Sequence, residues 1–149
     1  MNQGAPGNRT LAVDVGTVRL GLALSDSLGV IAQALPYVRA EPRKQALAEI
    51  ARLCQDKGVV RLVVGLPKAK SGGECPATLM AREFAAALGK ATGLPVLYVD
   101  ERLSTRQAER VLLEADVSRR KRREAIDSMA ATVVLQSFLD RQAPGPDGA

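Results

Sequence analysis

Apolar and polar positions alternate along the first part of the chain with the period of two that marks half-buried strands. In LAVDV (11–15), Leu11, Val13 and Val15 fall on one side, Ala12 and Asp14 on the other. RLGLALSD (19–26) repeats the pattern with Leu20, Leu22 and Leu24, and Val30–Leu35 supplies a third strand. Short glycine-bearing connections predict an antiparallel meander. After these strands the period lengthens to that of a helix. Pro42 suits the first helical position, and Ala46, Leu47, Ile50, Leu53 and Cys54 line one side. The run RLVVGLP (61–67) predicts a buried strand, and Pro76–Thr92 a second helix carrying Met80, Phe84, Ala87, Leu88 and Ala91, closed by Gly93. Pro95–Val99 is the fifth strand. Ser104 and Gln107 form a capping box that opens a third helix with Ala108, Val111 and Leu112, and a fourth helix runs from about Arg122 to Leu139. The order βββ-α-β-α-β-α-α predicts an α/β domain over residues 10–141. Its mixed five-stranded sheet has three antiparallel strands, then parallel ones, and helices on both faces. The Gly/Pro-rich segments 1–9 and 142–149 are expected to be disordered tails.

The 149 residues suffice for one core. No apolar run approaches the roughly 20 residues that span a bilayer, the N-terminus lacks the apolar core of a signal peptide, and cytoplasm is the expected compartment. Two cysteines, Cys54 and Cys75, are too few for a zinc site and read as ordinary thiols. The chain contains no histidine. That absence excludes Ser-His-Asp and Cys-His nucleophilic sites, histidine–zinc sites and an imidazole base. Chemistry must therefore come from carboxylates, lysines, hydroxyls or a metal on oxygen ligands.

The net charge of +5 is concentrated. Between Arg102 and Arg123 stand eight basic residues, Arg102, Arg106, Arg110, Arg119, Arg120, Lys121, Arg122 and Arg123, against three acids, Glu109, Glu114 and Asp116. Such a stretch suits a polyanion, and its plainer alternative is a solvated helix face.

Three acids stand at unusual places. Asp14 lies inside an apolar strand, where a charge is costly unless paired, bound to a metal or satisfied by the amides of the Asp-Val-Gly-Thr corner. Glu101 follows the fifth strand, with Asp100 a rival for the same role and pairing with Arg102 or a helix N-terminus the alternative. Asp127 shares a helix face with Ala131, Val134 and Phe138, where a solvated acid is out of place, although a helix N-terminus also favours it. Together the three form a set of hard oxygen ligands that suits Mg²⁺ or Mn²⁺. Paired metals ~3.5–4 Å apart activate water and stabilise the leaving oxygen of a phosphodiester. The loop PKAKSGGECP (67–76) is not a Walker motif, since the required glycines fall on Val64 and Ala69. With Lys68 and Lys70 it reads as a mobile, substrate-contacting flap. The aromatics Tyr37, Phe84, Tyr98 and Phe138 sit mostly at core-like positions, so recognition by base stacking is not expected.

LAVDVGTVRLGLALSD (11–26), VVGLP (63–67), VDERLST (99–105) and IDSMAATVVLQSFLD (126–140) together resemble the YqgF/RuvX family, over nearly everything from Thr10 to Asp140. The resemblance implies a ribonuclease H-like fold and a nuclease acting on ribosomal RNA precursors or on Holliday junctions. It also implies that Asp14, Glu101 and Asp127 are the acidic triad, with Gly16, Thr17 and Arg19 in the first motif and Arg102 and Thr105 in the third. The chain departs from the family after Pro67, where Lys68-Ala69-Lys70-Ser71-Gly72 replaces a Leu-Asn-Met-Asp-Gly-like run. A fourth ligand is open between Asp26 and Asp100. The expected partner is structured RNA or branched DNA, gripped through Arg19, Lys68, Lys70, Arg102, Arg119, Arg120, Lys121, Arg122 and Arg123, by a monomer or homodimer. An ATP-dependent kinase or chaperone-type ATPase is disfavoured, because such enzymes clamp nucleotide between two related domains with a second Gly-rich phosphate motif, and the chain reads as one domain without one. A binding or ribosome-assembly factor with vestigial acids is the other alternative.

Overall fold

A computed structural model of the chain describes residues 8–69, 71–100 and 128–142. Its elements in chain order are β1 (Arg9–Val15), β2 (Arg19–Ser25), β3 (Ala32–Arg39), α1 (Arg43–Lys57), β4 (Val59–Leu66), α2 (Pro76–Thr92), β5 (Val96–Asp100) and α3 (Met129–Gln142). The third helix expected from Ser104 lies outside the described residues. Arg9 and Gln142, assigned by composition to the tails, belong to β1 and α3.

The strands order as β3-β2-β1-β4-β5, which puts β1 at the centre. β1–β2 and β2–β3 are antiparallel, while β4 and β5 run parallel to β1, as the sequence pattern predicts. Alternation along β1 feeds two cores. Leu11 and Val13 join Leu20, Leu22, Leu62 and Val64 beneath α1 and α2, through Ile50, Phe84 and Leu88. Ala12 joins Ala23, Val63 and Val99 on the opposite face, beneath α3 through Val134, Leu135 and Phe138. The small residues Ala12 and Ala23 make room for α3 against the middle of the sheet.

The departures from the pattern have physical causes. The expected third strand, Val30–Leu35, begins later and ends later, because Asp26 folds the preceding residues into a turn: its Oδ1 accepts from the amides of Val30 at 2.7 Å and Ile31 at 3.0 Å. Pro36, which has no N–H, is tolerated because β3 is an edge strand carrying a bulge. Register runs Leu20↔Val38 and then Leu22↔Leu35, so Pro36 and Tyr37 together face Gly21. Pro42 caps α1 rather than occupying its first turn. In α2 the buried positions include Ala81 and Ala85, whereas Met80 and Ala87 are only partly covered.

The bulge breaks the β2–β3 ladder, and a side chain from α3's approach repairs it. Ser128, fully buried, accepts from the Leu22 amide through Oγ at 3.1 Å and donates to the Leu35 carbonyl at 2.7 Å. Its own carbonyl accepts from the Thr132 amide in α3. One hydroxyl thus ties the helix to the sheet. Ser128→Ala leaves a buried donor and acceptor unsatisfied and is expected to cost about 1–3 kcal/mol in urea unfolding. A change below a few tenths of a kcal/mol would show that the bridge contributes nothing.

Candidate active site

β1 ends at Val15, and the chain reverses through Gly16, Thr17 and Val18 into β2. The reversal is tight: a Cβ on Gly16 would lie 2.6 Å from the carbonyl oxygen of Arg19. Only glycine closes this corner without displacing backbone.

Asp14 sits one residue before the strand end and pairs across β1–β2 with Gly21, which offers no side chain. It alternates with Val13 and so shares with Ala12 the face beneath α3, half-buried at the margin of that core. Among the described residues no hydrogen bond or ion pair reaches its carboxylate, so the corner amides do not satisfy it. Asp26 behaves in the opposite way. The amides of Ile31 and Val30 hold its carboxyl below the usual carboxylate range. It is also five residues along the chain from Gly21, roughly 16 Å at about 3.3 Å per residue. Asp26 is therefore a turn residue at the far end of the sheet, and its candidacy as a fourth ligand falls.

Asp100 ends β5, opposite Leu66. Leu66 packs in the α1–α2 core, while Val99 packs beneath α3, so alternation puts Asp100 on the other side of the sheet from Asp14. Its candidacy as a fourth ligand, and as the rival of Glu101, is weakened accordingly. Glu101 and Asp127 lie outside the described residues, as do Lys70, Arg102, Arg119, Arg120, Lys121, Arg122 and Arg123. Among the described residues no three acids or cysteines come together to hold a metal. Two described residues bracket Glu101 and Asp127 in the chain: Asp100 at the C-terminal end of β5 and Ser128 beside Leu22, the residue next to Gly21.

Of the expected nucleic-acid contacts, Arg19 and Lys68 are described. Arg19 is exposed at the start of β2, its guanidinium 5.2 Å from the ring centroid of Tyr37. Lys68 lies 3.7 Å from Glu74, which also pairs with Arg82 at 2.7 Å. Arg82 holds the Glu74 carboxyl below its ordinary range. The loop is not an open flap along its described residues. Ala69 and Gly73, and Gly72 and Ala69, are joined by backbone hydrogen bonds, and Thr78 Oγ1 donates to the Pro67 carbonyl. The aromatics divide evenly: Phe84 and Phe138 are buried, but Tyr37 and Tyr98 are exposed, each beneath an arginine. The sequence pattern does not mark Ser128 and Arg39, at the bulge and at the end of β3, because both depend on cross-strand register.

A mixed sheet with its first three strands antiparallel, helices on both faces and an acid at the end of the central strand defines the ribonuclease H-like fold. Solved structures agree. RuvC of Thermus thermophilus, in complex with Holliday junction substrate, superposes with a TM-score of 0.56 at 15% identity, over 90% of this chain and 95% of that one. The fowlpox virus resolvase, solved with substrate Holliday junction DNA, gives 0.58 at 12% identity, over 91% and 99%. At the level of sequence, the profile of the RuvX family, described as Holliday junction resolvase, matches residues 8–141. Proteins named "Putative pre-16S rRNA nuclease" match as well: that of Symbiobacterium thermophilum is 50% identical over 90% of this chain and 93% of its own length, and that of Moorella thermoacetica 49% over 89% and 95%. The chain belongs to the RuvX family of nucleases.

Two expectations follow from this geometry. Gly16→Ala forces the corner apart and is expected to cost about 1–3 kcal/mol in denaturant unfolding, with no loss contradicting the contact. The cysteines should differ in reactivity at pH 8. Burial pushes the Cys54 thiol up to about 11, whereas the Thr78 hydroxyl and amide lower that of the partly exposed Cys75. A disulfide reagent should titrate one fast thiol, lost in Cys75→Ser; two equally fast thiols would contradict the burial of Cys54.

Proposed function

We propose that the chain is a divalent-metal-dependent endonuclease that hydrolyses phosphodiesters at the 5′ end of the 16S ribosomal RNA precursor, with Asp14, Glu101 and Asp127 as its catalytic carboxylates. The observation that carries this reading is Asp14: a half-buried carboxylate at the end of the central strand, without a partner among the described residues. Leaving such a group unpaired is costly, and a cation offsets that cost. Covalent connection supports the rest. Glu101 is bonded to the last residue of β5, and Asp127 to Ser128, which is pinned to β2 and β3. Consecutive Cα atoms lie about 3.8 Å apart, which tethers both acids to described parts of the fold.

The donor set fits Mg²⁺ or Mn²⁺: carboxylate oxygens, with no histidine in the chain. A cation bound there supplies an activated water and charge stabilisation of the leaving oxygen. The carboxylates orient that cation, and basic residues hold the substrate's backbone. The names of the close relatives favour precursor RNA, while the family's description keeps branched DNA as the second substrate.

The test offers purified protein a precursor RNA with its 5′ leader and a four-way DNA junction at matched salt. The expected result is RNA cleavage with Mn²⁺ or Mg²⁺, poor cleavage with Ca²⁺ and none in excess EDTA. Asp14→Asn, Glu101→Gln and Asp127→Asn should each abolish it while RNA binding persists. Undiminished cutting in EDTA would defeat the metal mechanism, and symmetric nicking of the junction with intact RNA would reverse the order of substrates.

A further inference from the structure

Arg19 and Arg39 face each other directly across β2 and β3. Residues opposite in an antiparallel pair point to the same side, with Cβ atoms about 4.5–5.5 Å apart. The side follows from their neighbours: Leu20 and Val38 pack in the α1–α2 core, so both arginines emerge on the other face. That is the face of Asp14, and Arg19 lies two residues from Gly21, the cross-strand partner of Asp14. Among the described residues no acid pairs with Arg39. The backbone here is well defined, since the Ala40 amide donates to the Val18 carbonyl at 2.9 Å just beyond the pair. Arg19 is also oriented, its guanidinium resting over Tyr37 on the strand that carries Arg39.

We infer that Arg19 and Arg39 form a two-arginine clamp for a backbone phosphate of the nucleic acid, extending the substrate track from Asp14 out to the β3 edge of the sheet. The inference builds on the nuclease reading above and adds Arg39 to the binding surface. Two planar guanidinium groups match phosphate oxygens bidentately. Two strand spacings of about 4.8 Å put β3 roughly 10 Å from β1, within reach of one chain of nucleic acid passing over Asp14.

The experiment measures binding of the full chain in EDTA to a fluorescein-labelled RNA stem with a single-stranded 5′ leader, as a function of salt. Arg39→Ala and Arg19→Ala should each reduce the slope of log affinity against log salt by about 0.7, and the double variant by about twice that. Arg39→Lys should keep the slope yet bind a few-fold more weakly, having lost the bidentate geometry. Arg52→Ala, which removes an exposed charge from α1 on the other layer, should leave the slope unchanged. Circular dichroism of each variant checks that it folds. An unchanged slope in Arg39→Ala, an equal loss in Arg52→Ala, or no wild-type binding overturns the clamp. Cleavage separates the two readings. Protein with an Arg39-dependent slope that never cuts with Mn²⁺ defeats the nuclease and leaves the clamp, whereas Asp14-dependent cutting with an unchanged slope defeats the clamp alone.

Discussion

A strand buried on both faces has no room for a charge except where its cover ends. β1 is such a strand: Leu11, Ala12 and Val13 are wholly buried, alternately beneath α1–α2 and beneath α3. Asp14 stands at the first position where that cover gives way. The same strand pairs with β2 on one side and β4 on the other, so every element of the sheet is registered directly or at one remove to the residue that carries the charge. Misplacing the carboxylate by one residue would turn it into a core of leucines.

The helix opposite Asp14 is held by an unusual device. An edge strand with a proline in it cannot complete its ladder, and the resulting gap between Leu22 and Leu35 is filled by the hydroxyl of Ser128. Gly21, the residue that the bulge faces, is also the partner of Asp14. The irregularity therefore lies beside the candidate site and serves as an anchor for α3. Beyond it Tyr37 supports Arg19. The backbone defect, the acid and the arginine pair occupy adjacent rows of one sheet face.

Much of this architecture was legible because β1, β2 and α2 each carry one dominant periodicity and β4 is a near-continuous apolar run. Leu20, Leu22 and Leu24 fall in one core as alternation requires, and Gly93 closes α2 in the left-handed conformation. Ala131, Val134 and Phe138 likewise share the face of α3 that meets the sheet. What could not be read depended on contacts distant in sequence. Val30 and Ile31 look like strand residues, but the Asp26 carboxylate draws their amides into a turn. Asp100 and Asp26 were equal candidates in the sequence, and only the strand partners Leu66 and Gly21 separate them from Asp14. Lys68 promised a contact to phosphate, yet Glu74, six residues on, already lies beside it. Glu101 and Asp127 are marked in the sequence by position and by resemblance, and they lie outside the described residues.

The central claim is that the Asp14 carboxylate holds a divalent cation, and binding of that cation can be measured without any substrate. Calorimetric titration of Mn²⁺ into the wild-type chain and into Asp14→Asn, both folded by circular dichroism, compares the two directly. The account predicts a defined site in the wild type and at least a tenfold loss of affinity in the variant, about 1.4 kcal/mol. Equal affinity in the two proteins would contradict it.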